Sequence, residues 1–384
     1  MSTVDGPLSR RGALLAGTAA VAAGVGFAGR TDAADQLAPV AAESAAEALA
    51  AMTPAQRAGQ RVIYSYKGLT PPAQLMNALR AGRAAGVIFF GENIESPSQI
   101  KRVVKSMVDA AASAPLKAPL LLMTDQEGGM VRRLPGDPVP SAKKVGSSSD
   151  PKGQAKTTGT AAGKNLASVG MNVNLAPVLD VYRTAGDFAD QYQRSYSKDP
   201  KVVSTCGSAF ITAQQATGVA AAAKHFPGLG PAKADQNTDL KPVTIKTSAA
   251  TLRGTDEVPY RSAISAGVQM VMLSWATYPA FDSRLPAGLS PTVVGELRNR
   301  LGFKGVTITD ALEAGALKGH GGVRERAVAA TAAGMDLILC SARDSNQGHD
   351  AVAAIRDALA DGTLDGAAFD AGAKRVLALR RSLA

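Results

Sequence analysis

The segment GVTITD, residues 305–310, is a short β-branched run that closes on a carboxylate. Its alternating Val, Thr and Ile suit a strand. The same grammar, a brief apolar run ending in polar residues, recurs at RVIYSY from Arg61, GVIFF from Gly86, PLLLMT from Pro119, MNVNLAP from Met171, GVAAAAK from Gly218, VQMVMLS from Val268 and MDLILC from Met335. Between these eight runs lie stretches with helical spacing, such as PPAQLMNALRAG from Pro71, PSQIKRVVKSMVDAAASA from Pro97 and SPTVVGELRNRLG from Ser290. Strand and helix in alternation imply right-handed crossovers and a parallel sheet, and eight such units predict one α/β domain, a single (β/α)8 TIM-like barrel. A doubly wound open sheet is the alternative. No GxGxxG follows an early strand and no GxxxxGK[ST] is present, so neither dinucleotide nor P-loop chemistry is signalled. The fifth run is Ala-rich and has poor β propensity.

Composition narrows the function. With 46% apolar and 19% charged residues over 384 positions, the chain can bury a large core and is not a disordered tail. Its formal charge of +10 would allow an anionic partner, yet Lys and Arg are scattered and aromatics make up only 4%. Clustered cations interleaved with stacking rings are missing, so no nucleic-acid partner is expected. The two cysteines, Cys206 and Cys340, allow at most one disulfide, and no His or Cys spacing completes a ligand set; we expect no cofactor and no metal.

The first residues read as an address. LSRRGALLAGTAAVAAGVGFAG, residues 8–29, pairs Arg10 and Arg11 before a weakly apolar Ala, Gly and Val stretch, the pattern of a twin-arginine export signal. Residues 1–34 are assigned to that signal, 35–50 to an Ala-rich lead-in and 51–384 to the (β/α)8 domain. Beyond the signal no run of ~20 strongly apolar residues follows, so no membrane span is expected and the protein is expected to be secreted.

In such a barrel the working residues stand where strands end and βα loops begin. Asp125 and Glu127 follow the third run with Arg132 and Arg133 close behind, Asp180 follows the fourth, Lys224 and His225 the fifth, and Asp310 the seventh. A mouth of carboxylates, a Lys-His pair and arginines suits a sugar, whose hydroxyls carboxylates bind and whose anomeric carbon one carboxylate can attack. Asp310 is the candidate nucleophile. Each residue also has a plainer reading: Asp310 as a helix N-cap, Asp125 as a loop turn, Lys224 and His225 as a buried ion pair and a core histidine, Arg194 as a loop ion pair with Asp199. Met123, Met130 and Phe226 read as core packing.

Taken together the motifs resemble glycoside hydrolase family 3, in its single-domain β-N-acetylglucosaminidase branch. The likeness runs from about Met52 to the C-terminus and rests on AGVIFFGENI from Ala85, TDQEGGMVRRLPG from Thr124, NVNLAPVLDV from Asn172, RSYSKDP from Arg194, KHFPGLG from Lys224, LSWATYPAFD from Leu273, LSPTVVGELRNRLGFKGVTITDAL from Leu289 and AGMDLILC from Ala333. The resemblance implies a retaining exo-β-glycosidase acting on terminal β-N-acetylglucosamine of cell-wall or chitin-derived oligosaccharides, with Asp310 as nucleophile. It also implies that Asp125, Arg133, Arg194, Lys224 and His225 hold the terminal sugar, and that Glu127 braces the loop. A monomer is expected.

One departure bears on mechanism. The branch carries its general acid/base histidine on the loop after KHFPG, as an Asp-x-His pair, but here that loop reads KHFPGLGPAKADQNTDL. Leu229 and Asn237 stand where the loop's histidines would be, and an amide cannot protonate a leaving group. Asp239 and Asp235 remain as candidate acids if the pocket raises the pKa of one of them, with Asp239 preferred and His320 a weaker replacement. Alternative readings are a sugar-binding protein that has lost catalysis, a β-glucosidase, or a phosphorylase in which phosphate replaces water.

Overall fold

The computed structural model describes residues 45–383. The export signal and most of the lead-in assigned above lie outside the described residues. Eight parallel strands follow one another around a ring: β1 (Val62–Tyr64), β2 (Gly86–Ile88), β3 (Leu121–Thr124), β4 (Val173–Asn174), β5 (Ala220–Phe226), β6 (Met270–Leu273), β7 (Val306–Thr309) and β8 (Ile338–Leu339). Each pairs with its successor from β1 to β7, β8 pairs with β1, and a parallel bridge between Ile308 and Leu337 closes the circle. The ring is the (β/α)8 barrel the eight runs imply, and the open-sheet alternative falls.

Side chains of a strand alternate between two faces, and here the two faces are two separate cores. Ile63, Ile88, Leu121, Met123, Val173, Ala220, Ala222, Met270, Met272, Val306, Ile308 and Leu339 fill the barrel, whereas Val62, Tyr64, Val87, Leu122, Ala221, Ala223, Val271 and Leu273 pack against the surrounding helices. The Ala-rich fifth run forms the longest of the eight strands, seven residues, all buried. Its weak propensity is overridden because small side chains let β5 sit beside the bulky Met270 and Met272 of β6 in a crowded interior.

The helices follow ordinary rules. Helix Pro97–Ala111 has Ser96 accepting from the Gln99 N–H, Pro97 in its first turn, and Ile100, Val104 and Met107 on its buried stripe. At the barrel's N-terminal end, helix Gly366–Ser382 inserts Val376 and Leu379 into the inner core. There the fully buried Asp336 takes Arg298, Arg375 at 2.8 Å and the Thr307 N–H at 2.8 Å. That end is built for stability, and the opposite end is left to the βα loops.

Candidate active site

Continuing the inward alternation past the last apolar layer leads from Met123 to Asp125, from Ala222 to Lys224 and from Ile308 to Asp310. All three line a cavity of about 510 Å³ at the C-terminal mouth. Its floor is the top of the inner core, since Ile88, Leu175, Met272 and Leu339 belong to both. The cavity therefore ends blindly in the barrel. A register shift in β5 between Lys224 and Phe226 lets two consecutive residues, Lys224 and His225, face the cavity, as a bulge beside a functional site does.

On one side the charges form a chain. Lys224 Nζ lies 2.6 Å from Asp125 Oδ1 and 2.8 Å from Glu127 Oε1. Glu127 also receives both arms of Arg194, at 2.9 and 2.8 Å, and Arg133 Nε stands 4.0 Å from Asp125. Burial alone would raise the Glu127 pKa, but Arg194 and Lys224 hold it well below the usual carboxylate range. For Lys224 burial works toward a lower pKa, and Asp125 and Glu127 raise it instead. Lys224 is thus both a buried ion-pair member and a cavity wall. Arg194 does not pair with Asp199, whose side chain accepts from Lys201 N–H at the start of helix Pro200–Gln215.

His225 is held from behind. Its Nδ1 lies 2.8 Å from Asp180 Oδ2, while Asp180 Oδ1 accepts the Leu229 N–H at 2.7 Å. Asp180 is itself buried and sets the ring's orientation. Sequence reasoning placed Asp180 at the end of the fourth run without giving it work. No local signal marks the pair, since Asp180 and His225 lie 45 residues apart in the chain.

Asp310 and Asp239 both line the cavity. Asp310 Oδ1 accepts the N–H of Ala311 at 2.7 Å, and Asp310 caps no helix: the next helix, Val323–Ala332, starts from Gly322. Asp239 is an exposed residue on the rim that also lines the cavity. Burial and the negative charge of Asp310 push its pKa up to about 6, against the opposing pull of His225 and Arg194. Asp235 is elsewhere: 74% of its side chain is exposed and it pairs with Lys241 at 2.9 Å. That hydrogen bond and charge lower its pKa, the wrong direction for an acid. His320 does not line the cavity.

Two further walls went unread in the sequence. Glu313 lies near Asp239, and its carboxylate accepts from Ser341 Oγ at 2.9 Å and Gln347 Nε2 at 3.1 Å. Arg343 stacks over Phe90, 4.8 Å from the ring centroid, with both residues at the mouth. Met130 is not core packing: it stands 65% exposed at the tip of a hairpin formed by Gln126–Gly128 and Val131–Arg132, where no layer covers it. Cys206 and Cys340 are buried and unpaired with each other. Among the described residues no group of three or more His, Cys, Asp or Glu is arranged to hold a metal ion.

Comparison with known proteins adds the kinship. The model for the glycosyl hydrolase family 3 N terminal domain matches residues 55–379. A relative from Arthroderma benhamiae, described as an uncharacterized secreted glycosyl hydrolase, is 46% identical over 349 residues, covering 91% of this chain and 98% of its own. A β-hexosaminidase of Xylella fastidiosa is 33% identical over 298 residues, 75% of this chain and 86% of its own. Among solved structures, the family 3 β-N-acetylglucosaminidase of Paenibacillus sp. superposes with a TM-score of 0.82 at 33% identity, over 87% of this chain but 63% of its own longer one. The β-N-acetylhexosaminidase of Beutenbergia cavernae gives 0.77 at 32% identity, over 86% and 98%. Among the described residues no helix is long and apolar enough to cross a membrane.

Proposed function

This chain belongs to glycosyl hydrolase family 3, and from that membership we propose that it is a retaining exo-β-N-acetylhexosaminidase, exported from the cell, that removes terminal β-N-acetylglucosamine from cell-wall or chitin-derived oligosaccharides. The observation that carries the reading is one blind cavity lined by two carboxyl groups, Asp310 and Asp239, on different βα loops. Asp239, pushed to about 6 by burial and by Asp310, carries below that pH a proton that a leaving group can take. A floor of apolar core admits a chain only by its end, which supports exo action. The hexosaminidase relatives support the choice of sugar.

The Asp310 carboxylate attacks the anomeric carbon as its bond to the leaving oxygen breaks, and Asp239 gives that oxygen its proton. Water then attacks the anomeric carbon and releases Asp310, its proton passing to the Asp239 carboxylate, and the configuration is retained. Asp125, Arg133, Arg194, Lys224 and His225 would bind the terminal sugar, since charge-assisted hydrogen bonds from fixed donors and acceptors suit its hydroxyl and acetamido groups. Residues 1–34 would direct export by the twin-arginine route, with 51–384 as the catalytic domain.

The test is release of aryl leaving groups from β-N-acetylglucosaminides and β-glucosides by wild type, Asp310→Ala and Asp239→Ala, with and without phosphate. Phosphate-independent release from the acetylated sugar, abolished by Asp310→Ala, is expected. Absence of release from both sugars overturns the enzyme reading, preference for the glucoside overturns the sugar, and phosphate dependence overturns hydrolysis.

A further inference from the structure

The loop that carries Asp239 is tied down through its backbone. The Thr238 and Asp239 carbonyls accept the N–H groups of Ala316 at 2.9 Å and Gly315 at 2.8 Å, in the short turn Gly315–Leu317 that follows Asp310. Within the loop, Asn237 Oδ1 accepts the Asp239 N–H at 2.8 Å, and the Asn237 carbonyl accepts from Leu240 at 3.2 Å and Lys241 at 3.1 Å. That is an Asx turn, a side chain standing in for a backbone acceptor. The loop's ion pair, Lys241 with Asp235, is exposed on both sides and holds little.

Gly315 makes the contact possible. A Cβ there would lie 2.2 Å from the Leu240 carbonyl oxygen, 2.4 Å from its carbon and 2.9 Å from the Asp239 oxygen. Its φ lies outside the left-handed region, so the missing Cβ is the reason for glycine, rather than backbone freedom. The obstructing atoms are main chain and cannot swing aside; any side chain pushes the loop off the turn.

We propose that Gly315 and Asn237 are positioning residues for proton transfer: Gly315 lets the loop dock on the turn after Asp310, and Asn237 shapes the loop so that the Asp239 carboxyl reaches over the cavity. This rests on the reading of Asp239 as acid/base. Nucleophile and acid are then set against each other through one short stretch of main chain, Asp310–Gly315. Asn237, the substituted position in this loop, acts through geometry and carries no proton.

The test measures kcat/KM, which reports the glycosylation step, for aryl β-N-acetylglucosaminides from dinitrophenyl to phenyl, on wild type, Asp239→Asn, Gly315→Ala, Asn237→Ala and Asn237→Ser. Positioning predicts that Gly315→Ala and Asn237→Ala stay within about threefold of wild type on the dinitrophenyl substrate, which needs no protonation, and lose about 10- to 100-fold on the phenyl one, part of what a general acid supplies. Asn237→Ser, whose hydroxyl oxygen keeps the acceptor, recovers most of that loss. A loss equal across leaving groups in a folded variant, or no loss, overturns the proposal. Should Gly315→Ala not fold, the Asn237 pair decides alone. If Asp239→Asn itself shows no dependence on the leaving group, the acid assignment fails; if it does and the positioning variants do not, only the positioning role fails.

Discussion

Lys224 Nζ lies 2.8 Å from Glu127 Oε1, with 2% of one side chain and 5% of the other exposed. Two charges so deeply withdrawn from water persist because each is over-supplied with partners: Asp125 and Glu127 on the ammonium, Arg194 and Lys224 on the carboxylate. Removing one partner strands the others. Lys224→Met should therefore destabilise the fold by about 3–5 kcal/mol, the usual cost of an uncompensated buried charge, as read by urea unfolding; a loss below about 1 kcal/mol would show that the network relaxes. Because the Glu127 pKa is depressed in the fold, its share of stability is present at neutral pH and is lost as pH falls below the ordinary carboxylate range. Glu127→Gln should flatten that acid limb.

The rate on poor leaving groups should follow the protonation of Asp239. Its carboxyl, ordinarily near 3.8, is raised to about 6, so it is an acid below that pH and a carboxylate above. kcat/KM for the phenyl substrate is expected to fall as pH rises through about 6, and Asp239→Asn should remove this limb while lowering the rate by about 10²–10⁴-fold. An unchanged limb in Asp239→Asn would assign it to another group.

Behind the histidine, Asp256 offers a stability counterpart. It is fully buried against Arg183, and burial, aided by Asp180, outweighs Arg183 and raises it from 3.8 to about 7. A raised carboxyl favours the fold below its unfolded pKa and loses that contribution as pH rises through the folded value. Stability should decline between about pH 4 and 7, and Asp256→Asn should reduce the decline in thermal unfolding series across that range. A parallel decline in both proteins would rule Asp256 out as the cause.

Export by the twin-arginine route makes a separate prediction. Replacing Arg10 and Arg11 together by Lys should leave uncleaved precursor inside the cell, detected by fractionation, with the catalytic activity of that precursor unaltered. Normal secretion of the double variant would point to a different route.

Much of the barrel and part of the site were legible along the chain. The eight runs are the eight strands, and the polar residues two steps beyond their inward apolar ones form the cavity walls. The Ala-rich β5 shows where composition misleads: propensity described an isolated segment, but a crowded interior selects small side chains. The plainer reading of Arg194 pairs it with Asp199, its neighbour in sequence, whereas its partner is Glu127, on a different βα loop. Asp180, a lone carboxylate in sequence, orients His225 once β4 and β5 lie side by side.

The chain by itself determined the eight strands and their alternation with helices, because side-chain alternation is a local property that holds wherever a strand forms; closure of the ring against an open sheet was decided by the tertiary pairing of β8 with β1. The chain also narrowed the acid position to Asp239 or Asp235, with His320 a weaker candidate. Only the tertiary structure separated these two, placing one in solvent beside Lys241 and the other over the cavity with Asp310. The reason is physical: a loop's path depends on the main chain it docks against, here the turn at Gly315, and a carboxyl's proton affinity depends on the charges and burial that docking brings to it.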